Sequence, residues 1–200
     1  MAAVLMTRLS KLPVIYLVRH GETEWSLSGR HTGLADIPLT LAGEQAAAAL
    51  KAPLSGIFVA EVWSSPSKRA RRTGELAGFA ERIRLVPDLA EWDYGEYGGL
   101  TRKEVCAKKD NWHLFRDGCP LGESALDVGV RADRVIAGIR ELQDGLLIFS
   151  SAHFLRVLAA RWLDLPPERG ASLVLDTASI SILGYEHDLS EPVIKCWNAR

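Results

Sequence analysis

The sequence predicts an α/β fold with a largely parallel sheet. The prediction rests on three apolar runs that end abruptly in small polar or basic residues, on the helical stretches that separate them, and on their shortness, which suits buried strands. No repeat, low-complexity linker or composition shift divides the 200 residues. One domain over residues 1–200 is therefore expected, with 1–12 a loose N-terminal segment.

Taken in order, Val14–His20 (VIYLVRH) is β-branched and almost continuously apolar before its basic tip, and reads as a buried strand emerging into a loop. Thr40 to Ala52 carries an N-cap candidate in Thr40, an alanine run and Pro53 just beyond, which punctuate a helix. Phe58–Trp63 is a second strand candidate, followed by Ser64-Ser65-Pro66 and a basic helix from about Ser67 to Ala77. Glu91 to Ser124, with its Gly, Trp, Tyr and charged residues, reads as an elaborated region over the site. Leu146–Phe149 is the third strong strand, with Ser150 and Ser151 leading into an amphipathic helix from Phe154 to Leu163. Ile83–Val86, Ser179–Tyr185 and Val193–Trp197 are weaker strands, the last two suited to an antiparallel edge. A sheet of this kind presents ligands at the carboxyl ends of its strands.

Composition narrows the function classes. Twenty-four Lys and Arg against 25 Asp and Glu leave a net charge of −1, so the chain as a whole has no electrostatic drive toward nucleic acid or acidic membranes. Val4–Met6 is too short for the core of a signal peptide, and no run approaches the roughly 20 apolar residues of a membrane span. A cytoplasmic protein is expected. Three cysteines without CxxC spacing, and His31 and His187 without partners at ligand spacing, argue against a disulfide framework and a metal site.

The chemistry concentrates at Arg19-His20-Gly21-Glu22-Thr23, on the tip of the strongest strand. A guanidinium fork can hold phosphate oxygens while a neutral imidazole nitrogen attacks phosphorus. Standing alone, the triplet is equally a charged strand end facing water.

Further along stand Trp25–Asp36 (WSLSGRHTGLAD), Ser64–Thr73 (SSPSKRARRT), Leu89–Leu100 (LAEWDYGEYGGL) and Arg116–Pro120 (RDGCP) ahead of Gly122-Glu123-Ser124. Together with Leu17–Thr23 (LVRHGET), these segments resemble the histidine phosphatase superfamily, whose fold is shared with cofactor-dependent phosphoglycerate mutases. The likeness runs from about Val14 onward. Within the superfamily it looks most similar to the sedoheptulose bisphosphatase group and its bacterial sugar-phosphate phosphatase relatives. The implied fold is a three-layer α/β/α sandwich, phosphoglycerate mutase-like.

The resemblance implies roles position by position. His20 matches the histidine that becomes phosphohistidine, with Arg19 and Arg69 as phosphate-binding arginines. Glu91 matches the general acid that protonates the leaving alkoxide and then activates water; it is expected to be shielded by Trp92 or Tyr94. Asp93 and Glu96 are nearby carboxylates, and chemistry alone does not choose among the three. Ser26, Thr32 and Gly33 occupy positions that contact phosphate or substrate in the family. Trp25 and Trp92 are expected near the ligand, Trp162 and Trp197 in the core, and Trp112, His113 and Phe115 either over the substrate or packed on the sheet. Lys68 and Arg71 read as a solvated face, and Arg72 fits either side.

The pattern breaks after the third strong strand. Aligned on Leu155-Arg156, Ser151 stands where the family carries a second histidine, Ala152 stands on the usual glycine, and His153 matches an extra histidine of some sugar-phosphate phosphatases. A shifted helix start would make His153 the catalytic one. A serine hydroxyl can donate to phosphate but brings no charge, and losing one such donor costs on the order of 10²–10³ in rate.

The expectation is a metal-independent phosphomonoesterase, needing no cofactor, that acts on small phosphorylated metabolites such as sugar phosphates or bisphosphates through His20. Ser151 and His153 are candidate phosphate ligands beside Arg19 and Arg69. No nucleic-acid or membrane partner is expected, and monomer and homodimer are equally compatible. Phosphoglycerate mutase-type transfer and phospholigand binding without turnover are the alternatives.

Overall fold

The computed structural model describes residues 12–200. The expectation for residues 1–12 thus lies outside the described residues, except at Leu12, which packs against the core. In chain order the elements are β1 (Ile15–Arg19), α1 (Glu24–Leu27), α2 (Leu41–Ala49), α3 (Lys51–Leu54), β2 (Glu61–Ser64), α4 (Lys68–Gly74), β3 (Ile83–Leu85), α5 (Arg102–Lys108), α6 (Leu114–Asp117), α7 (Ala125–Arg140), β4 (Leu146–Ser150), α8 (Ala152–Trp162), β5 (Ile180–Tyr185) and β6 (Pro192–Ala199).

The six strands form one sheet in the order β3-β2-β4-β1-β5-β6. The first four are parallel, while β5 runs antiparallel to β1, and β6 antiparallel to β5. Every residue of β4 is buried, because it lies between β2 and β1 with helices on both faces. Alternation along β1 splits the core. Ile15 and Leu17 pack with α7 and α8, whereas Val18 joins the cluster of Leu50, Leu54 and Ala70 from α2, α3 and α4. The result is the expected α/β/α sandwich with a mostly parallel sheet.

Register positions the site. Arg19 pairs with Ser150 and Ser64 with Phe149, so the residues just past β1, β2 and β4 emerge side by side at one end of the sheet. Gly, Ser and His there leave the ladder without clashing, and α4 and α8 start immediately beyond.

Several boundaries differ from the sequence expectation. The second strand begins at Glu61, not Phe58, because its partner β4 begins at Leu146; Phe58 is 70% exposed. Helix α2 does start at the Thr40 cap, whose side chain accepts from Gly43 N at 3.0 Å, but it ends at Ala49. Pro53 does not stop it from outside. It sits in the first turn of α3, where a missing N–H costs no helical hydrogen bond. Helix α7 was absent from the sequence reading, although its signals were present. Ser124 and Asp127 form a capping box, and Val128, Ala132, Val135, Ile136 and Ile139 make one buried stripe. Among the described residues, no helix is long and apolar enough to cross a membrane.

Candidate active site

The sheet's carboxyl end opens into a pocket of about 170 Å³ whose walls include Arg19, His20, Thr32, Glu91, Tyr94 and His153. His20 is 4% exposed. Its Nδ1 lies 2.7 Å from the carbonyl oxygen of Gly21. A carbonyl can only accept, so Nδ1 carries the proton and the lone pair of the neutral ring is on Nε2. Burial, with the charges of Arg69 and Arg19 beside it, holds the imidazole well below its ordinary pKa of 6.5. The ring is fixed and neutral, with a free lone pair on Nε2. The loop beneath it is anchored by Gly21 N–H, which donates to Thr73 Oγ1 at 3.0 Å, and by His20 N–H, which donates to the Ser150 carbonyl at 2.9 Å.

Two guanidinium groups flank this ring. Arg69 is fully buried on α4 and donates to the carbonyls of Ala35 at 2.8 Å and Gly33 at 2.9 Å, and to Ser151 Oγ at 3.3 Å. Arg19 donates to the Leu175 carbonyl. Among the described residues, the buried Nε–H of each has no protein acceptor. An unpaired buried donor costs about 1–3 kcal/mol, which an anion accepting from it would offset. Desolvation lowers both guanidinium pKa values, and Glu91 opposes that shift in each.

Of the three neighbouring carboxylates, only Glu91 reaches the pocket. Its Oε1 accepts from Trp92 N and Phe154 N, both at 2.9 Å, and its Oε2 accepts from His153 N at 3.2 Å. The cradle is therefore the amide end of α8, a polar one, in place of the expected aromatic shield. Asp93 instead accepts from Gly95 N within its own turn, and Glu96 is exposed.

The substituted position is distinct from its neighbour. Ser151 is 1% exposed, caps nothing with its side chain, and spends its hydroxyl on Arg69. His153, the second residue of α8, pairs through Nδ1 with Tyr94 Oη at 2.6 Å, and its ring packs on Phe115 with centroids 5.5 Å apart. Burial and the charges of Arg156, His31 and Arg19 push its pKa well below 6.5, while burial and Glu91 raise that of Tyr94. Ser151 thus adjoins Arg69 without lining the pocket, whereas His153 is part of the pocket wall.

Ser26 lines the pocket, but its hydroxyl donates to the Thr23 carbonyl and accepts from Thr23 N, both at 2.9 Å, closing the cap of α1. Thr32 lines the pocket as well. Gly33 does not. Its carbonyl holds Arg69, and the residue faces an adjoining hollow on the other side of Glu91. Neither Trp25 nor Trp92 lines the pocket; Trp92 is fully buried and ties its indole N–H to the Glu123 carbonyl at 2.9 Å. Arg72 turns away to Glu44, and Lys68 and Arg71 pair with Asp36 and Glu75.

Three residues contribute beyond the sequence expectation, which gives Tyr94 only as a shield for Glu91 and assigns His31 and Arg131 no role in the site. His31, expected at the surface or hydrogen-bonded, is in the pocket wall with Nδ1–H donating to the Leu100 carbonyl at 2.8 Å. Tyr94 spans from Glu91 to His153. Arg131, on α7, grips the segment carrying Glu91: its guanidinium donates to the carbonyls of Asp88 at 2.7 Å and Ala90 at 2.9 Å and pairs with Glu123 at 2.7 Å. No sequence pattern pointed to it, because α7 itself was unread.

The chain is similar to known proteins over nearly all of its described length. The sequence model of the histidine phosphatase superfamily (branch 1) matches residues 15–200. An acid phosphatase of Mycobacterium tuberculosis is 38% identical over 186 residues, covering 88% of this chain and 89% of its own length. A sedoheptulose 1,7-bisphosphatase of Saccharomyces cerevisiae is 31% identical, covering 93% of this chain and 79% of its own. Among solved structures, the product of an open reading frame of Mycobacterium tuberculosis superimposes with a TM-score of 0.88 at 35% identity, over 94% of this chain and 98% of that one.

Proposed function

Because this chain belongs to the histidine phosphatase superfamily, we propose that it is a cytoplasmic phosphomonoester hydrolase that works through a phosphohistidine on His20, with sugar phosphates or bisphosphates as substrates. The observation that carries this reading is the buried, neutral, Nδ1-protonated His20 between two guanidinium groups whose Nε–H donors have no protein acceptor. Arg19 and Arg69 hold the nonbridging oxygens and neutralise their charge, while His20 Nε2 attacks phosphorus and the P–O bond to the substrate breaks.

Glu91 supplies the proton to the leaving oxygen. Oε1 already receives two N–H bonds and Oε2 only one, so Oε2 has the free lone pair that carries the proton. In the second step a water gives its proton to Oε2 and attacks the phosphohistidine; the N–P bond breaks, phosphate leaves, and Nε2 regains its lone pair. Ser151 donates to a phosphate oxygen as a neutral group. With Tyr94 donating to Nδ1, His153 is the Nε2–H tautomer and adds a second neutral donor. Ser26 and Thr32 contact the substrate body, and Gly33 acts through Arg69.

Ser151 favours a second reading, in which phosphorylated ligands bind without turnover, because the charged donor of the transition state is missing. The test is phosphate release from a panel of sugar phosphates and an aryl phosphate. Release abolished by His20→Ala, with an acid-labile phosphoenzyme trapped by rapid quench in the unmutated chain, is expected. An isomer formed in place of free phosphate would make the protein a mutase, and binding with no product from any substrate would establish the second reading.

A further inference from the structure

We propose that Asn198, on the last strand of the sheet, is a positioning residue for Arg19: it fixes the loop of residues 175–178, which in turn aims that guanidinium at the phosphate. The proposal rests on the phosphatase reading of the pocket and goes beyond it, since Asn198 does not line the pocket. The loop grips Arg19 and His20 at three points. The Leu175 carbonyl accepts from Arg19 Nη1, and the Ala178 N–H is shared between the carbonyls of Arg19 and His20, each at 3.1 Å. A guanidinium is a rigid planar fork, so the place where Nη1 is anchored decides where Nε–H points. That Nε–H is the buried donor with no protein acceptor among the described residues, and it remains for the anion.

The loop belongs to no helix or strand, so its position is set by contacts from outside. Asn198 supplies them. Its Oδ1 accepts from Asp176 N–H at 2.7 Å while its Nδ2 donates to the Asp176 carboxylate at 3.1 Å, which holds both backbone and side chain of the residue next to Leu175. The neighbouring Trp197 donates from Nε1 to the Val174 carbonyl at 2.6 Å. Strand register explains why these side chains meet the loop. Ile180 pairs with Ala199 and Ile182 with Cys196, so Trp197 and Asn198 together oppose the single residue Ser181, a bulge in the edge strand β6. Asn198 has a left-handed φ of 58°, which asparagine tolerates better than most residues, and its N–H donates to the buried Ser181 Oγ at 2.9 Å. A bulge of this kind re-aims a side chain that a regular strand would leave on one face of the sheet. Arg200 also pairs with Asp176, at 2.9 Å, but both side chains are exposed and the pair adds little.

The test is a double-mutant cycle read as the dissociation constant of orthovanadate, followed by tryptophan fluorescence. Asn198→Gly keeps the left-handed backbone and removes the amide. It is expected to weaken vanadate binding about tenfold in the otherwise unmutated chain and to cost nothing further in an Arg19→Ala chain. A merely structural role would cost the same in both. Asn198→Asp combined with Asp176→Asn exchanges donor and acceptor in the same geometry, and is expected to bring affinity back to within about threefold of the unmutated chain. If Asn198→Gly does not fold, Asn198→Asp alone, which sets two carboxylates face to face, takes its place in the comparison. Unchanged affinity in the single variant, an equal loss in the Arg19→Ala chain, no recovery on exchange, or no binding of vanadate by the unmutated chain overturns the proposal. Failure of the phosphatase reading is distinguishable, since it would show as absent phosphate release while the vanadate cycle kept its pattern.

Discussion

Gly21 and Gly43 meet backbone to backbone: a Cβ added at Gly21 would fall 2.4 Å from the Gly43 carbonyl oxygen, and one added at Gly43 would fall 2.1 Å from the Glu22 carbonyl oxygen. The first turn of α2 is thus pressed on the loop that carries His20, and the pressure is tolerable only because neither residue has a side chain. Loop and helix are further tied where Thr40 N–H donates to the Glu22 carbonyl at 2.9 Å and Thr40 Oγ1 to Glu22 Oε1 at 2.8 Å.

Gly43→Ala is expected to damage both stability and turnover, although it is a favourable helix substitution by propensity. Overpacking of this kind costs about 1–3 kcal/mol, or roughly 3–10 °C in Tm for a chain of this size. Thermal unfolding and phosphate release checked together decide it; an unchanged Tm would mean that the contact yields freely.

Ser151 and His153 make separable predictions. Ser151→His with Ala152→Gly places an imidazole beside Arg69 and should raise phosphate release on the order of 10²–10³. His153→Ala should lower activity more modestly, because His153 is bound to Tyr94 and not to Arg69. If His153→Ala alone abolishes turnover and the double substitution gains nothing, His153 performs the role of the missing histidine.

Arg131 positions Glu91 through the backbone carbonyls just ahead of it, those of Asp88 and Ala90. Arg131→Gln should slow the hydrolysis of alkyl phosphates, whose leaving group needs a proton, about 10–10²-fold, and that of p-nitrophenyl phosphate much less. A purely structural role would depress both substrates equally. The ratio of the two rates therefore separates the cases.

Stability should fall as the medium is acidified through the histidine range. His20, His31 and His153 all have pKa values lowered from 6.5 in the folded chain, so below about 6.5 the unfolded chain binds more protons than the native one. Their contribution is fully present above 6.5 and is lost progressively as pH falls toward the depressed values. Tm measured from pH 8 to pH 5 should show this slope, and His153→Gln should flatten it. A Tm that rose on acidification would contradict the burial argument.

Much of the molecule was legible before any coordinates. The apolar runs at Val14–His20 and Leu146–Phe149 demanded burial on both faces, and only a parallel sheet between helices provides it. Ser124-x-x-Asp127 and the stripe from Val128 to Ile139 were equally legible as a helix and went unread, which concealed Arg131.

What sequence alone determined about this protein is its local pattern, namely which strands are apolar and where they end; the grouping of Arg19, His20, Arg69 and Glu91 is what the family resemblance implies. The tertiary structure alone decided how those groups are poised. Whether Glu91 meets aromatic rings or amides depends on where α8 begins relative to a loop some sixty residues earlier. The proton on His20 is assigned by a single carbonyl, and Ser151 and His153, two residues apart at the start of α8, are drawn to different partners, Arg69 and Tyr94. Such relationships join residues far apart in the chain, and hydrophobic periodicity, which reports only on neighbours, carries no record of them.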